Sequence, residues 1–127
     1  MTQKITTEKA PKAIGPYSQA VVAGGFVFVS GQVPIDPDTG ALVDGDITTM
    51  AERILDNIEN VLEAAGCGME DVVRVDIFMK DLNDFVAVND VYAKRFTGSV
   101  LPARQTVEVS RLPIDAVLEM SCVAVKK

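Results

Sequence analysis

Tyr17-Ser18-Gln19-Ala20-Val21-Val22-Ala23-Gly24-Gly25-Phe26-Val27-Phe28-Val29-Ser30-Gly31-Gln32-Val33 is the stretch on which the fold turns. Two β-prone runs, Tyr17 to Ala23 and Phe26 to Val33, flank Gly24-Gly25, the signature of a tight two-residue hairpin. In the second run both alternating sets are apolar, Phe26/Phe28 on one face and Val27/Val29 on the other. An antiparallel strand of that kind needs a cover on each face. Ala13 to Ile35 carries no charge at all, which raises a membrane reading. Gly15-Pro16, Gly24-Gly25 and Ser30-Gly31-Gln32 cut it into pieces far shorter than the ~20 apolar residues of a spanning helix, so that reading fails.

Outward from this hairpin, Asp36-Pro37-Asp38-Thr39-Gly40 reads as a turn. It lacks the calcium-loop pattern, because its twelfth position is Ile47 where a bidentate glutamate belongs. From Ile47, Met50, Ile54, Ile58, Val61, Leu62 and Ala65 recur at helical spacing. Thr49 and Glu52 offer a capping box, and Gly66 suits the C-terminal cap. Asp56, Glu59 and Glu63 form the polar face of this helix. Val72 to Met79 alternates and is β-branched, a strand. Phe85, Val88, Tyr92 and Phe96 mark a second helix, ended by Gly98. Arg104 to Ser110 and Val117 to Val125 are two last strands joined by a turn at Pro113.

Helices alternating with strands in one domain spanning 1–127 define an α+β layer, with both helices on one face of the sheet. The last strand repeats the pattern of the second: Val117/Val123/Val125 oppose Leu118/Met120/Cys122, and both sets are apolar. The chain has helices for only one sheet face, and self-association is the economical cover for the other.

The chain has 127 residues and no histidine, which excludes Ser-His-Asp and Cys-His nucleophile systems and histidine-ligated metal sites. Chemistry must run on arginine, carboxylate, hydroxyl and backbone groups. A net charge of −6 argues against a phosphate-neutralising surface, so no nucleic-acid partner is expected. Cys67 and Cys122 lack C-x-x-C spacing, both read as packing residues, and a reducing, cytoplasmic setting fits them. Met1 to Lys9 lacks the apolar core of a secretory signal.

Two charged residues stand out. Arg104 sits where a strand begins, just after Pro102, and its planar fork suits bidentate capture of a carboxylate. Glu119 lies within an apolar strand, on one face with Val117, Ser121 and Val123, where a carboxylate must be paired, hydrogen-bonded or protonated. A symmetric hairpin about Pro113 and Ile114 opposes Glu119 to Glu108 and leaves Arg104 about four residues along. That is ~13 Å at strand rise, too far for a direct pair in one chain. The two groups therefore either bracket a ligand or meet across subunits.

Ala13-Ile14-Gly15-Pro16-Tyr17-Ser18-Gln19-Ala20, Ser30-Gly31-Gln32, Lys80-Asp81-Leu82-Asn83-Asp84-Phe85 with Asn89, Pro102-Ala103-Arg104 and Glu119 together resemble the RidA/YjgF family of enamine/imine deaminases. The resemblance covers nearly the whole chain, with the motifs in order. It implies a chorismate-mutase-like α+β layer with the other sheet face forming a homotrimer, and clefts between subunits. It also implies hydrolysis of 2-iminobutanoate and 2-iminopropanoate to 2-oxo acids and ammonia, with no cofactor and no metal. Arg104 then holds the substrate carboxylate, Glu119 positions or activates water, and Tyr17, Ser30, Gly31 and Asn89 line the cleft. Where many deaminases carry Cys two residues after the arginine, this chain has Thr106, a hydroxyl in place of a thiol. Thr97-Gly98-Ser99-Val100-Leu101 before Pro102 also looks shorter than in many relatives, which bears on the cleft mouth.

An alternative function uses the same arginine cleft in a non-catalytic regulatory trimer that senses small 2-oxo acids. A sensor needs Arg104 but no base, so Glu119 separates the two. A ribonuclease or translation inhibitor, names attached to some relatives, fits poorly with the acidic charge and the absence of histidine.

Overall fold

The computed structural model describes all 127 residues. Its strands are β1 (Gln3–Ile5), β2 (Ala20–Ala23), β3 (Phe26–Gln32), β4 (Val72–Met79), β5 (Ala103–Glu108) and β6 (Leu118–Val125), with helices α1 (Ile47–Ala64) and α2 (Phe85–Arg95). The six strands form one mixed sheet in the order β1-β2-β3-β6-β4-β5. All neighbours are antiparallel except β4 and β5.

Gly24 and Gly25 make the β2–β3 turn with φ of 59° and 82°, the left-handed pair that a twisted two-residue hairpin demands. The first strand of this hairpin is shorter than the sequence suggests. Tyr17 and Ser18 lie in the approach to β2 rather than in it. Helix α1 is capped by Asp46, whose Oδ1 accepts from the Thr49 backbone N–H and hydroxyl at 2.9 Å each. Asp46 thus takes the place expected of Thr49, because a carboxylate one residue before the helix reaches the free N–H groups directly. At the other end Gly66 (φ 79°) completes a Schellman turn, with Cys67 N–H to Leu62 O at 2.8 Å and Gly66 N–H to Glu63 O at 2.9 Å. Helix α2 stops at Arg95, where Phe96 turns extended, before Gly98 is reached.

The last two strands are not a hairpin. β4 lies between them, parallel to β5 and antiparallel to β6. The β4–α2–β5 segment is a crossover unit, which requires parallel strands. The end of β4 is wedged in the gap, Val109 N–H donating to Met79 O (2.8 Å) and Lys80 N–H to Val117 O (3.0 Å).

Both helices cover one sheet face. Ile54, Leu55, Ile58, Val61 and Leu62 of α1, with Val88 and Val91 of α2, share one core with Val27, Val29, Val75, Ile77, Met79, Leu118, Met120, Cys122 and Ala124. Burial pushes the Cys122 thiol up to about 12, consistent with a packing role. Arg95 of α2 reaches Asp56 (3.0 Å), Glu59 (3.2 Å) and Glu52 (3.7 Å) of α1. The acidic stripe on α1 therefore clips the helices together rather than facing water alone. On the opposite face Phe26 and Phe28 are 41% and 46% exposed, beside half-buried Val123 and Val125. No element of the chain covers that face.

Candidate active site

Glu119 lies on the uncovered face, opposite Phe78 of β4. Its neighbour β3 breaks register between Val29 and Gln32, a bulge centred on Ser30-Gly31. Such irregularities re-aim side chains at the ends of pairing. A Cβ on Gly31 would lie 2.9 Å from Glu119 Cδ and closer still to Oε2, so only glycine leaves room for the carboxylate there. Ser30 Oγ donates to Ser18 O at 2.6 Å. Tyr17 turns back over Gly15-Pro16, with its N–H on Gly15 O (2.9 Å) and its hydroxyl accepting from Ile14 N–H (3.3 Å).

These groups share a cleft of about 560 Å³ that includes Tyr17, Ser30, Gly31, Gln32, Ile114 and Glu119. The strap that carries Tyr17 is fastened by Gln19, a residue not singled out in the sequence. Its buried amide accepts from Thr7 N–H (2.7 Å) and donates to Pro11 O (2.7 Å), Thr7 O (3.1 Å) and Ala10 O (3.3 Å). Glu119 makes no ion pair, and burial raises its carboxyl above the ordinary glutamate range.

Arg104 occupies the other face. It pairs in register with Val75, whose side chain is in the helix-covered core, and it lies beneath α2. Its Nη1 donates to Asn89 Oδ1 at 2.7 Å. The guanidinium stacks on Tyr92, 4.7 Å from the ring centroid, and stands 5.6 Å from that of Phe85. Thr106, two residues on, carries a buried hydroxyl without a partner in the chain, and so does Tyr92. Phe85, Asn89 and Tyr92 fall at i, i+4 and i+7, so one helix face presents all three. That spacing was visible in the sequence, but Phe85 and Tyr92 read there as ordinary core.

Arg104 and Glu119 therefore lie in two separate groups of candidate site residues, the two halves of what one cleft would need. Arg104, Asn89 and Thr106 are together, and Tyr17, Ser30, Gly31 and Glu119 are together. The halves are separated by β4, with three residues of offset (roughly 10 Å) along the strands and two strand spacings (about 9.5 Å) across them. The hairpin register was wrong, yet a direct pair within one chain is excluded all the same. Because the halves sit on opposite faces, one small molecule cannot touch both within a single chain.

With this geometry in place, comparison with known proteins defines the class. The profile of the family described as endoribonuclease L-PSP matches residues 7–126. A RutC family protein of Pyrococcus abyssi is 54% identical over 97% of this chain and 96% of its own. The 2-iminobutanoate/2-iminopropanoate deaminase of Salmonella typhimurium is 46% identical over the full length of both. The crystal structure of the YjgF gene product of E. coli superposes with a TM-score of 0.93 at 44% identity, covering 98% of this chain and 99% of that one. The chain belongs to the RidA/YjgF family. No helix is long and apolar enough to cross a membrane.

Proposed function

We propose that this chain is a hydrolytic deaminase that converts 2-imino acids such as 2-iminobutanoate and 2-iminopropanoate to 2-oxo acids and ammonia, working as a cytoplasmic homotrimer. Each active site combines Arg104, Asn89 and Thr106 of one subunit with Tyr17, Ser30, Gly31 and Glu119 of its neighbour. The observation that carries this reading is the split itself. A carboxylate receptor and an unpaired carboxyl with a raised pKa lie on opposite faces of a sheet whose uncovered face is apolar. The name of the Salmonella relative supports the reaction class.

The chemistry asks little of the protein. Arg104 has Nη1 committed to Asn89 and its flat face to Tyr92, which leaves the rest of the fork for the substrate carboxylate. The iminium carbon is already electrophilic. Glu119 takes a proton from water as its oxygen bonds to that carbon and the C=N π electrons move to nitrogen. Glu119 passes that proton to the nitrogen of the resulting carbinolamine, then takes the hydroxyl proton as the C=O bond forms and the C–N bond breaks to release ammonia. This second proton leaves with ammonia as ammonium, which returns Glu119 to its carboxylate form. A carboxyl pushed upward by burial is a stronger base than an exposed glutamate, which suits this role. Orientation and one base are sufficient, and no step calls for a cofactor. A sensor of 2-oxo acids would have no use for that base.

The test generates the imine in situ with a PLP-dependent serine or threonine dehydratase and times 2-oxo acid release with and without this protein. Acceleration proportional to protein concentration is expected. Tight binding of 2-oxobutanoate without any acceleration would replace the enzyme with the sensor.

A further inference from the structure

The Glu119 cleft has an apolar wall that the proposed reaction does not use. Besides its polar groups it is lined by Pro11, Ile14, Val33, Ile35, Pro113 and Ile114. Ile14 and Ile114 are 85% and 58% exposed, so neither contributes much burial within its own chain. Ile114 has a further peculiarity. Its backbone is left-handed (φ 50°, ψ 29°) and Asp115 follows at φ 56°. A β-branched residue is strongly disfavoured there and persists only where its surroundings fix it.

They do fix it. Leu112 and Ala116 are buried on either side, Asp115 N–H donates to Leu112 O (3.2 Å), and Ala116 N–H donates to Pro113 O (3.1 Å). Arg111 Nε donates to Asp115 Oδ1 at 2.8 Å. The turn thus holds an apolar side chain out at the cleft carrying Glu119.

We propose that Ile114, with Ile14, is the specificity-determining contact for the substrate side chain. This chain then takes 2-imino acids with aliphatic side chains of three or four carbons in preference to the single methyl of 2-iminopropanoate. The inference rests on the deaminase reading and deepens it. An imine carbon is planar and carries three substituents. The carboxylate goes to Arg104, the nitrogen needs polar surroundings, and water at Glu119 attacks perpendicular to the plane. The third substituent must leave within the plane, and the apolar wall is where it loses least by leaving water. Each additional buried methylene favours binding by about fourfold, so a three-carbon side chain gains about fifteenfold over one carbon.

The test uses an amino-acid oxidase to supply the imines of alanine and norvaline and compares kcat/KM for their hydrolysis. Wild type should favour the norvaline imine about fifteenfold. Ile114→Asn tolerates the left-handed backbone while removing the apolar surface, and should lower that ratio at least about fivefold. Ile114→Gly, which relieves the backbone, should do the same and serves if the asparagine variant folds poorly. Calorimetric titration with 2-oxopropanoate and 2-oxopentanoate should show the same chain-length preference and the same loss. A ratio unchanged in both folded variants, or a wild type that favours the alanine imine, overturns the inference and leaves the deaminase intact. No acceleration of either imine removes the deaminase reading, and this statement about its substrates with it.

Discussion

Gly31→Ala is the sharpest perturbation of the proposed site, because it acts on Glu119 without touching it. An alanine Cβ would stand 2.9 Å from Glu119 Cδ, where ordinary contact begins near 3.4 Å. The carboxyl must retreat by at least 0.5 Å at Cδ (3.4 minus 2.9), and by more at Oε2. Gly31 does not have a left-handed φ, so the backbone accepts the methyl group. The yielding partner is the far end of a flexible side chain, so the fold should survive with a loss of about 1 kcal/mol, the low end of the cost of overpacking. Misplacing a catalytic group by ~1 Å costs on the order of 10²-fold in rate.

The expected result is a kcat lower by about 10²-fold, a melting temperature within a few degrees of wild type, and 2-oxobutanoate binding largely retained, since Arg104 is untouched. The dehydratase-coupled assay gives the rate, and calorimetry on the same sample gives the binding. A well-folded Gly31→Ala protein with wild-type kcat would mean that the position of the Glu119 carboxyl is irrelevant to catalysis. Its role as the base would then be withdrawn.

Arg104→Lys keeps the charge but loses the fork, and kcat/KM should fall by about 10-fold or more, as expected for a lost charge-assisted hydrogen bond. Circular dichroism should report an unchanged fold. Tyr92→Phe retains the ring beneath Arg104 and removes a buried hydroxyl with no partner in the chain, so stability should hold or rise in a thermal melt. Tyr92→Leu loses the cation–π contact, worth about 1 kcal/mol, and should raise KM by about fivefold with kcat less affected. Light scattering at micromolar concentration should give three times the 13.6 kDa chain mass, and a monomer would remove the shared-cleft proposal. Glu119 should impose a fall in kcat as pH drops through its raised pKa. Because the folded state holds that proton more tightly than the unfolded chain, its effect on stability runs the other way. Stability falls as pH rises from the ordinary glutamate value of 4.5 through the raised one. Glu119→Gln should abolish both dependences, as pH–rate and pH–melting profiles would reveal.

Local structure was legible because it is written in short-range chemistry. Gly24-Gly25 announced its turn, the Ile54-to-Ala65 spacing its helix, and Val72 to Met79 its strand. Strand order was not legible, because adjacency in sequence favours a hairpin between the last two strands. Only the crossover through α2, which forces β5 parallel to β4, shows why β4 takes the place between them. β1 was missed because three residues with a single inward group, Ile5, carry almost no periodic signal. The resemblance placed Arg104, Asn89, Tyr17, Ser30, Gly31 and Glu119 in one cleft; in the single chain Arg104 lies with Asn89 on one sheet face, and Glu119 with Tyr17, Ser30 and Gly31 on the other. The aromatic platform did not announce itself, since a ring that carries a guanidinium and a ring that fills a core share the same helical spacing.

In the proposed trimer, the split arrangement would couple association to catalysis in a way that a pocket within one chain would not. Glu119 sits on the sheet face that also exposes Phe26 and Phe28, so a neighbour covering those rings withdraws more water from its carboxyl. The carboxyl is raised already in the isolated chain by partial burial alone. Further burial moves it the same way, while the Arg104 guanidinium that a neighbour brings to the same cleft pulls it back, so association sets the strength of this base through both. In the proposed trimer the contact that delivers Arg104 to the substrate therefore also tunes the base on the other subunit. Dilution below the association limit should remove both contributions in the same event, so specific activity should fall in step with the loss of trimer. A substitution on the apolar face, such as Phe28→Asp, should produce the same loss at high concentration while Arg104 remains on Asn89 and Tyr92.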